Sequence, residues 1–180
     1  ISDGAVIAGG EIIENPQQII EAQSWVAEEV VFESEKLYAD PFHDVSVDLI
    51  LFGNGRKYKI PAFWDGGNVW RVRFACPSAG EWYFTTVCTD EENYSLNNRT
   101  GKVICSEYDG EHDVYKHGFV TVNQGKKYFT YDDGTPFFYL ADTHWMMADF
   151  EHLHECNYPG CTCGNAFKHL ADDRIKKGFN

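Results

Sequence analysis

Basic residues are scarce in this chain of 180 residues. It has 15 Lys and Arg against 28 Asp and Glu, which gives a formal charge of −13 at pH 7 and a pI near 4.8. The first Lys or Arg along the chain is Lys36. A nucleic-acid partner would require clustered Lys and Arg to neutralise its phosphates. The composition therefore argues against binding to DNA or RNA.

Long apolar runs are also missing. No stretch of 18 apolar residues occurs, so we expect no membrane partner. Residues 1–24 lack the basic start and apolar centre of a signal peptide, although a mature secreted chain would look the same. Three of the six cysteines crowd into residues 156–163, whereas small secreted domains spread theirs into disulfides. Localisation stays open, with a reducing, cytoplasmic compartment favoured.

The chain does have a hydrophobic fraction of 43% and an aromatic fraction of 16%, enough to fill a packed core. Apolar and polar side chains alternate in several runs, most clearly in "WRVRF" (residues 70–74). Turn sequences rich in Gly, Asn and Asp separate these runs. They predict a mainly β fold, with an immunoglobulin-like antiparallel β-sandwich over residues 24–116. Residues 1–23 are expected to be an acidic lead-in, with a short helix at 15–23.

A different pattern begins at residue 117. Two short strands and two turns are predicted first, and Phe137–Ala141 is an apolar run of the kind found in strands covered on both faces. Residues 164–180 predict an amphipathic helix with Asn165 as N-cap and Gly178 at C′, followed by the opening of another strand. Strand, helix and strand form the start of a β/α repeat, which needs neighbouring strands. We therefore expect this region, residues 117–180, to be incomplete.

Three sequence segments together resemble the bacterial apiosidase-like glycoside hydrolases: "YADPFHDVSVDLILF", "KIPAFWDGGNVWRVRFACPSAGEWYFTT" and "GFVTVNQGKKYFTYDDGTPFFYLADTHW". The resemblance covers about residues 30–180. It implies that a β-sandwich precedes a (β/α)8 barrel, of which residues 117–180 would be the first β/α unit. It also implies a carbohydrate substrate and no obligatory cofactor.

In that family the catalytic acid and the nucleophile or base come from later barrel strands. No residue of this chain is therefore assigned as catalytic. The resemblance implies the N-terminal portion of a glycoside hydrolase, inactive by itself, whose partner is the remainder of the catalytic barrel. Asp142, His144 and Trp145 match positions that line the sugar-binding end of the barrel. They directly follow the apolar run, at the strand end where α/β folds place functional side chains.

Each of these three residues has a structural alternative. Asp142 could contact the sugar or organise its loop, and direct catalysis or a purely structural role are the other options. Trp145 offers a face on which a sugar ring can stack, or it packs at the barrel rim. His144 could hydrogen-bond a sugar hydroxyl or serve only the local structure.

A second cluster of reactive side chains lies between residues 151 and 165. Its members are the types that bind zinc: His152, His154, Cys156, Cys161 and Cys163. The spacing C-x4-C-x-C does not match a zinc finger or ribbon, so we predict free thiols and no metal. A small zinc-stabilised interaction domain remains an alternative function.

The sandwich tryptophans raise another alternative, a non-catalytic β-sandwich module that binds carbohydrate or protein. Trp70 and Trp82 lie in alternating strand patterns and are predicted to belong to the core. Trp64, in the "FWDGG" loop, is the tryptophan expected at the surface.

Overall fold

The computed structural model describes residues 13–122, 125, 127–145 and 165–180. The chain divides into two compact units between Phe119 and Val120. The predicted domain limits, 24–116 and 117–180, remain predictions. No helix among the described residues is long and apolar enough to cross a membrane.

The first unit contains two β-sheets. Its elements in chain order are β1 (Gln18–Gln23), β2 (Glu28–Glu33), α1 (Pro41–Asp44), β3 (Val47–Gly53), β4 (Arg56–Pro61), β5 (Phe63–Trp64), β6 (Val69–Phe74), β7 (Gly80–Cys88), β8 (Thr100–Ser106) and α2 (Asp113–Lys116). One sheet has the order β1-β8-β7-β3-β4 and the other β2-β6-β5. Neighbouring strands described here are antiparallel apart from β1 and β8, which are parallel. The predicted mainly β sandwich is confirmed, with one parallel pair at its edge.

The two sheets pack face to face through alternate residues of each strand. In β6, Trp70, Val72 and Phe74 are buried while the two arginines between them point outward. Phe84 of β7 meets Phe32 of β2 edge to face, with ring centroids 6.4 Å apart. Because aromatic side chains bury the largest areas, these rings supply much of the core's hydrophobic free energy.

The helix predicted at 15–23 is wrong, because Gln18–Gln23 forms strand β1. Ala22 is buried and Ile20 is partly buried against the core, whereas Ile19 points outward. The adjacent isoleucines disguise this alternation in the sequence. Strand β8 offers β1 a ladder of backbone partners, from Gln18 opposite Gly101 to Gln23 opposite Ser106. That tertiary pairing outweighs the weak local preference for helix.

The second unit is built from short elements. These are β9 (Val120–Val122), β10 (Phe129–Tyr131), β11 (Pro136–Phe137) and α3 (Ala166–Lys176). The three strands form an antiparallel sheet in the order β11-β10-β9. A tight turn joins β10 to β11, in which the Tyr131 N–H donates to the Thr135 carbonyl at 2.8 Å. The two predicted strands and the turn predicted at 132–135 are confirmed. Most of the turn predicted at 123–126 lies outside the described residues.

Both predicted caps of helix α3 are confirmed. The Asn165 side chain accepts a hydrogen bond from the Lys168 N–H at 2.8 Å. Gly178 has φ +80°, a left-handed conformation that glycine adopts readily. The Gly178 N–H donates to the Ile175 carbonyl and the Phe179 N–H donates to the Arg174 carbonyl, each at 3.0 Å. These two bonds make a Schellman motif, which satisfies carbonyls at the helix end.

The apolar run beyond β11 does not form the buried strand that its composition predicts. Only Pro136–Phe137 is strand, and Phe138 is 76% exposed. Tyr139, on the opposite side of the run, is 66% exposed. The described residues thus cover neither face enough for burial to stabilise a regular strand. The chain after α3 nevertheless returns beside the run. Asn180 donates its N–H to the Leu140 carbonyl at 3.2 Å and its side-chain amide to the Phe138 carbonyl at 2.8 Å.

Candidate functional site

The three predicted site residues lie in the extended segment that follows β11. The structure brings two of them together, with His144 Nε2 3.4 Å from Asp142 Oδ2. Trp145, next along the chain, is 91% exposed. The segment's entry is held by hydrogen bonds from Asn180 to Phe138 and Leu140. Residues distant in sequence thus fix the backbone from which Asp142 projects.

Arg174 is the site residue that sequence reasoning missed. It lies on α3, and its Nε donates to Asp142 Oδ2 at 2.6 Å. It also pairs with Asp173 at 2.6 Å, and its guanidinium lies 5.1 Å from the centre of the Phe179 ring. Helical spacing places Arg174 next to two apolar residues of α3, three residues after Ala171 and four after Leu170. A charged residue next to the apolar positions of a helix indicates that its charge is paired with another residue. This pattern could have identified Arg174 from the sequence.

The ion pair sets the protonation state of Asp142. The hydrogen bond from Arg174 lowers the pKa of the Asp142 carboxyl below its usual range, and His144 lowers it further, against the opposing effect of desolvation. The same pairing raises the pKa of Arg174. Asp142 is therefore an anion at neutral pH. A general acid for glycoside hydrolysis needs a raised pKa, so the site suits Asp142 as a hydrogen-bond acceptor.

Both contacts to Asp142 are made through Oδ2. Oδ1 is unused by the residues that the structure describes. A carboxylate fixed through one oxygen can present the other to a ligand hydroxyl without first having to be oriented. The exposed indole of Trp145 adds an apolar face and an N–H donor three residues away.

The other predicted residues fall outside this site. The cluster from His152 to Cys163 lies outside the described residues, and the described ranges hold no group of three His, Cys, Asp or Glu able to bind a metal. In the sandwich, Trp70 and Trp82 are buried as predicted. Trp64 is 38% exposed, and its indole N–H donates to the Gly67 carbonyl at 3.0 Å.

Two family models match separate parts of the chain. Residues 21–89 match a domain of unknown function (DUF5060). Residues 123–180 match the apiosidase-like catalytic domain. A search of curated proteins found no match.

A solved structure also matches, that of a candidate glycoside hydrolase from Bacteroides vulgatus ATCC 8482. The two share 28% sequence identity with a TM-score of 0.54, over 68% of this chain and 22% of the other. The chain thus spans about a fifth of the length of this relative. The site around Asp142 lies within the residues matched by the catalytic-domain family. Together these findings confirm the resemblance stated from the motifs: residues 123–180 are similar to the apiosidase-like catalytic domain, and a match to DUF5060 precedes them.

Proposed function

We propose that this chain is the N-terminal portion of a glycoside hydrolase, a β-sandwich followed by the first β/α unit of a (β/α)8 barrel. The observation that carries the proposal is the ion pair between Asp142 and Arg174. It holds an anionic acceptor beside His144 and an exposed Trp145, within the segment matched by the catalytic-domain family. This set of side chains is suited to hydroxylated rings.

The chemistry divides between this chain and the remainder of the barrel. Hydrolysis of a glycosidic bond needs two carboxyl groups, about 5–5.5 Å apart for retention or about 6.5–9.5 Å for inversion. Asp142 is committed to Arg174 and has a lowered pKa, so it is not the acid of that pair. The remaining strands of the barrel would supply both groups. The present chain by itself would then be inactive.

In this proposal Asp142, His144 and Trp145 bind the sugar and orient it. Asp142 Oδ1 accepts a hydrogen bond from a sugar hydroxyl, and Trp145 stacks on the apolar face of a ring. His144 contributes a second polar contact. Arg174 is a positioning residue, because it acts through Asp142.

The test uses a protein in which the barrel continues beyond residue 180, assayed on a panel of aryl glycosides. We expect turnover by the longer protein and none by the present chain. Asp142→Asn should raise KM more than it lowers kcat, because the lost contact binds the sugar in ground and transition state alike. Asp172→Asn is the matched control, since the ion pair described for Asp172 is with Lys168 of the same helix.

Two outcomes would overturn the proposal. One is a longer protein that hydrolyses no glycoside. The other is turnover by the present chain that Asp142→Asn abolishes, which would make Asp142 a catalytic residue.

A further inference from the structure

A groove of about 400 Å³ runs along strand β2 of the sandwich unit. Strand β2 is an edge strand of the smaller sheet, and Val31 and Phe32 form the apolar part of the lining. The polar and aromatic lining comes from Gln18, Glu33, Glu35, Tyr94, Ser95 and Arg99. We call this feature the Tyr94 groove. Its volume falls within the range of about 300–1,000 Å³ that small-ligand sites occupy.

The loop that carries Tyr94 is held firmly. Asn93 is buried and donates to Ser34 Oγ at 2.8 Å and to the Tyr38 hydroxyl at 2.7 Å. Asn97, also buried, accepts a hydrogen bond from the Cys88 N–H at 3.0 Å.

Leu96 is fully buried, yet Tyr94 in the same loop is 73% exposed. Tyr94 has no ring contact with any residue that the structure describes. The surrounding bonds therefore fix an aromatic face in solvent, where it contributes nothing to the core.

The charged side chains of the groove also have no charged partner among the described residues. Arg99 is partly buried, but it forms no ion pair or side-chain hydrogen bond with the described part of the chain. The carboxylates of Glu33 and Glu35 also form no ion pair or side-chain hydrogen bond with the described part of the chain. Other charged residues of the sandwich are paired, for example Arg71 with Glu29 at 2.6 Å and Lys102 with Glu81 at 2.5 Å. The groove thus keeps a guanidinium and two carboxylates free to bond a ligand.

We propose that the Tyr94 groove binds a neutral oligosaccharide segment, separately from the site around Asp142. A sugar ring stacks on Tyr94, hydroxyls donate to Glu33 and Glu35, and Arg99 donates to ring or hydroxyl oxygens. A neutral glycan fits better than a polyuronate because two carboxylates face one guanidinium in a chain of net charge −13. The choice of a sugar over another hydroxylated ligand rests on the proposed function.

The experiment measures binding by the present chain, so it does not depend on hydrolysis. The chain is run in native gels containing soluble xylan, arabinan or mixed-linkage β-glucan, and in a gel containing polygalacturonate. We expect at least one neutral polymer to retard it and polygalacturonate not to. Tyr94→Ala and Arg99→Gln should each raise the apparent Kd about fivefold or more, in line with the strength of a ring contact or a charged hydrogen bond.

Two control variants match these substitutions. Phe42→Ala removes another exposed aromatic ring, and Arg56→Gln removes an exposed arginine of the β3–β4 hairpin that has no ion pair among the described residues. Both should bind as the unaltered chain does. Circular dichroism of Tyr94→Ala checks that it is folded.

No retardation by any neutral polymer, or equal binding by Tyr94→Ala and Phe42→Ala, would overturn the proposal. So would stronger binding to polygalacturonate than to the neutral polymers. If the chain binds but the longer protein hydrolyses nothing, the groove stands and the proposed hydrolase function fails.

Discussion

Replacement of Trp145 by Ala separates a binding residue from a packing residue. Trp145 is 91% exposed, so truncation removes little buried surface. A tryptophan has about 250 Å² to bury, and less than a tenth of that is about 20 Å². At about 25 cal/mol per Å² the loss is about 0.5 kcal/mol. Trp82, which is fully buried, should instead cost about 3–5 kcal/mol when truncated.

The two quantities are measured on one preparation of the longer protein proposed above. Urea unfolding gives the free energy of unfolding, and steady-state assays give kcat/KM. We expect Trp145→Ala to leave stability within about 0.5 kcal/mol and to lower kcat/KM about tenfold or more, because each 1.4 kcal/mol of lost transition-state binding is a factor of ten. A variant that is destabilised by several kcal/mol but keeps its kcat/KM would refute the reasoning. Trp145 would then be a packing residue.

Three further predictions concern the sandwich and the ion pair. A Cβ at Gly101 would lie 2.2 Å from the ring of Phe84, so Gly101→Ala should destabilise the chain by about 1–3 kcal/mol. Phe84→Leu should recover part of that loss in a double-mutant cycle measured by urea unfolding. Strictly additive losses in the two single variants would contradict the clash. Arg174→Gln should raise the pKa of Asp142, followed by carboxyl ¹³C NMR, and an unchanged titration would show that the ion pair is not what lowers it. Burial raises the pKa of the Cys76 thiol to about 12, whereas the thiol of the unfolded chain ionises near pH 8.5. The free energy of unfolding should therefore fall between about pH 8.5 and pH 12, and it should fall less steeply in Cys76→Ala. Parallel curves for the two proteins would contradict this prediction.

Much of the sandwich follows from its sequence because one face of each central strand is buried. In β6 every second residue from Trp70 to Phe74 is large, apolar and buried, and the same alternation runs from Val47 to Leu51 in β3 and through Trp82 and Phe84 in β7. Strand β1 was not predicted as a strand, because two adjacent isoleucines are the only strong apolar signal in its sequence. Its place in the fold is decided by pairing with the edge of β8, about 80 residues away along the chain. A local sequence pattern contains no information about such a distant partner.

The candidate site shows the same limit. Asp142, His144 and Trp145 are neighbours in the sequence, so their grouping at the end of an apolar run could be predicted. The ion pair to Arg174 spans 32 residues and depends on how α3 returns against the segment. The exposed state of the apolar run could not be predicted either, because burial depends on what covers a segment rather than on its composition.

The charge composition gives the Tyr94 groove its significance. With a net charge of −13, acidic residues outnumber their possible partners, so an arginine in this chain has many carboxylates available. In the sandwich, Arg71 bridges two acids, Glu29 and Asp65. Arg99 shares a groove with two glutamates and bridges to neither. A partly buried guanidinium gains most from a hydrogen-bonded partner, so its separation from these carboxylates leaves room for a ligand that can bond to both charges at once. Sugar hydroxyls, which donate and accept, have that chemistry.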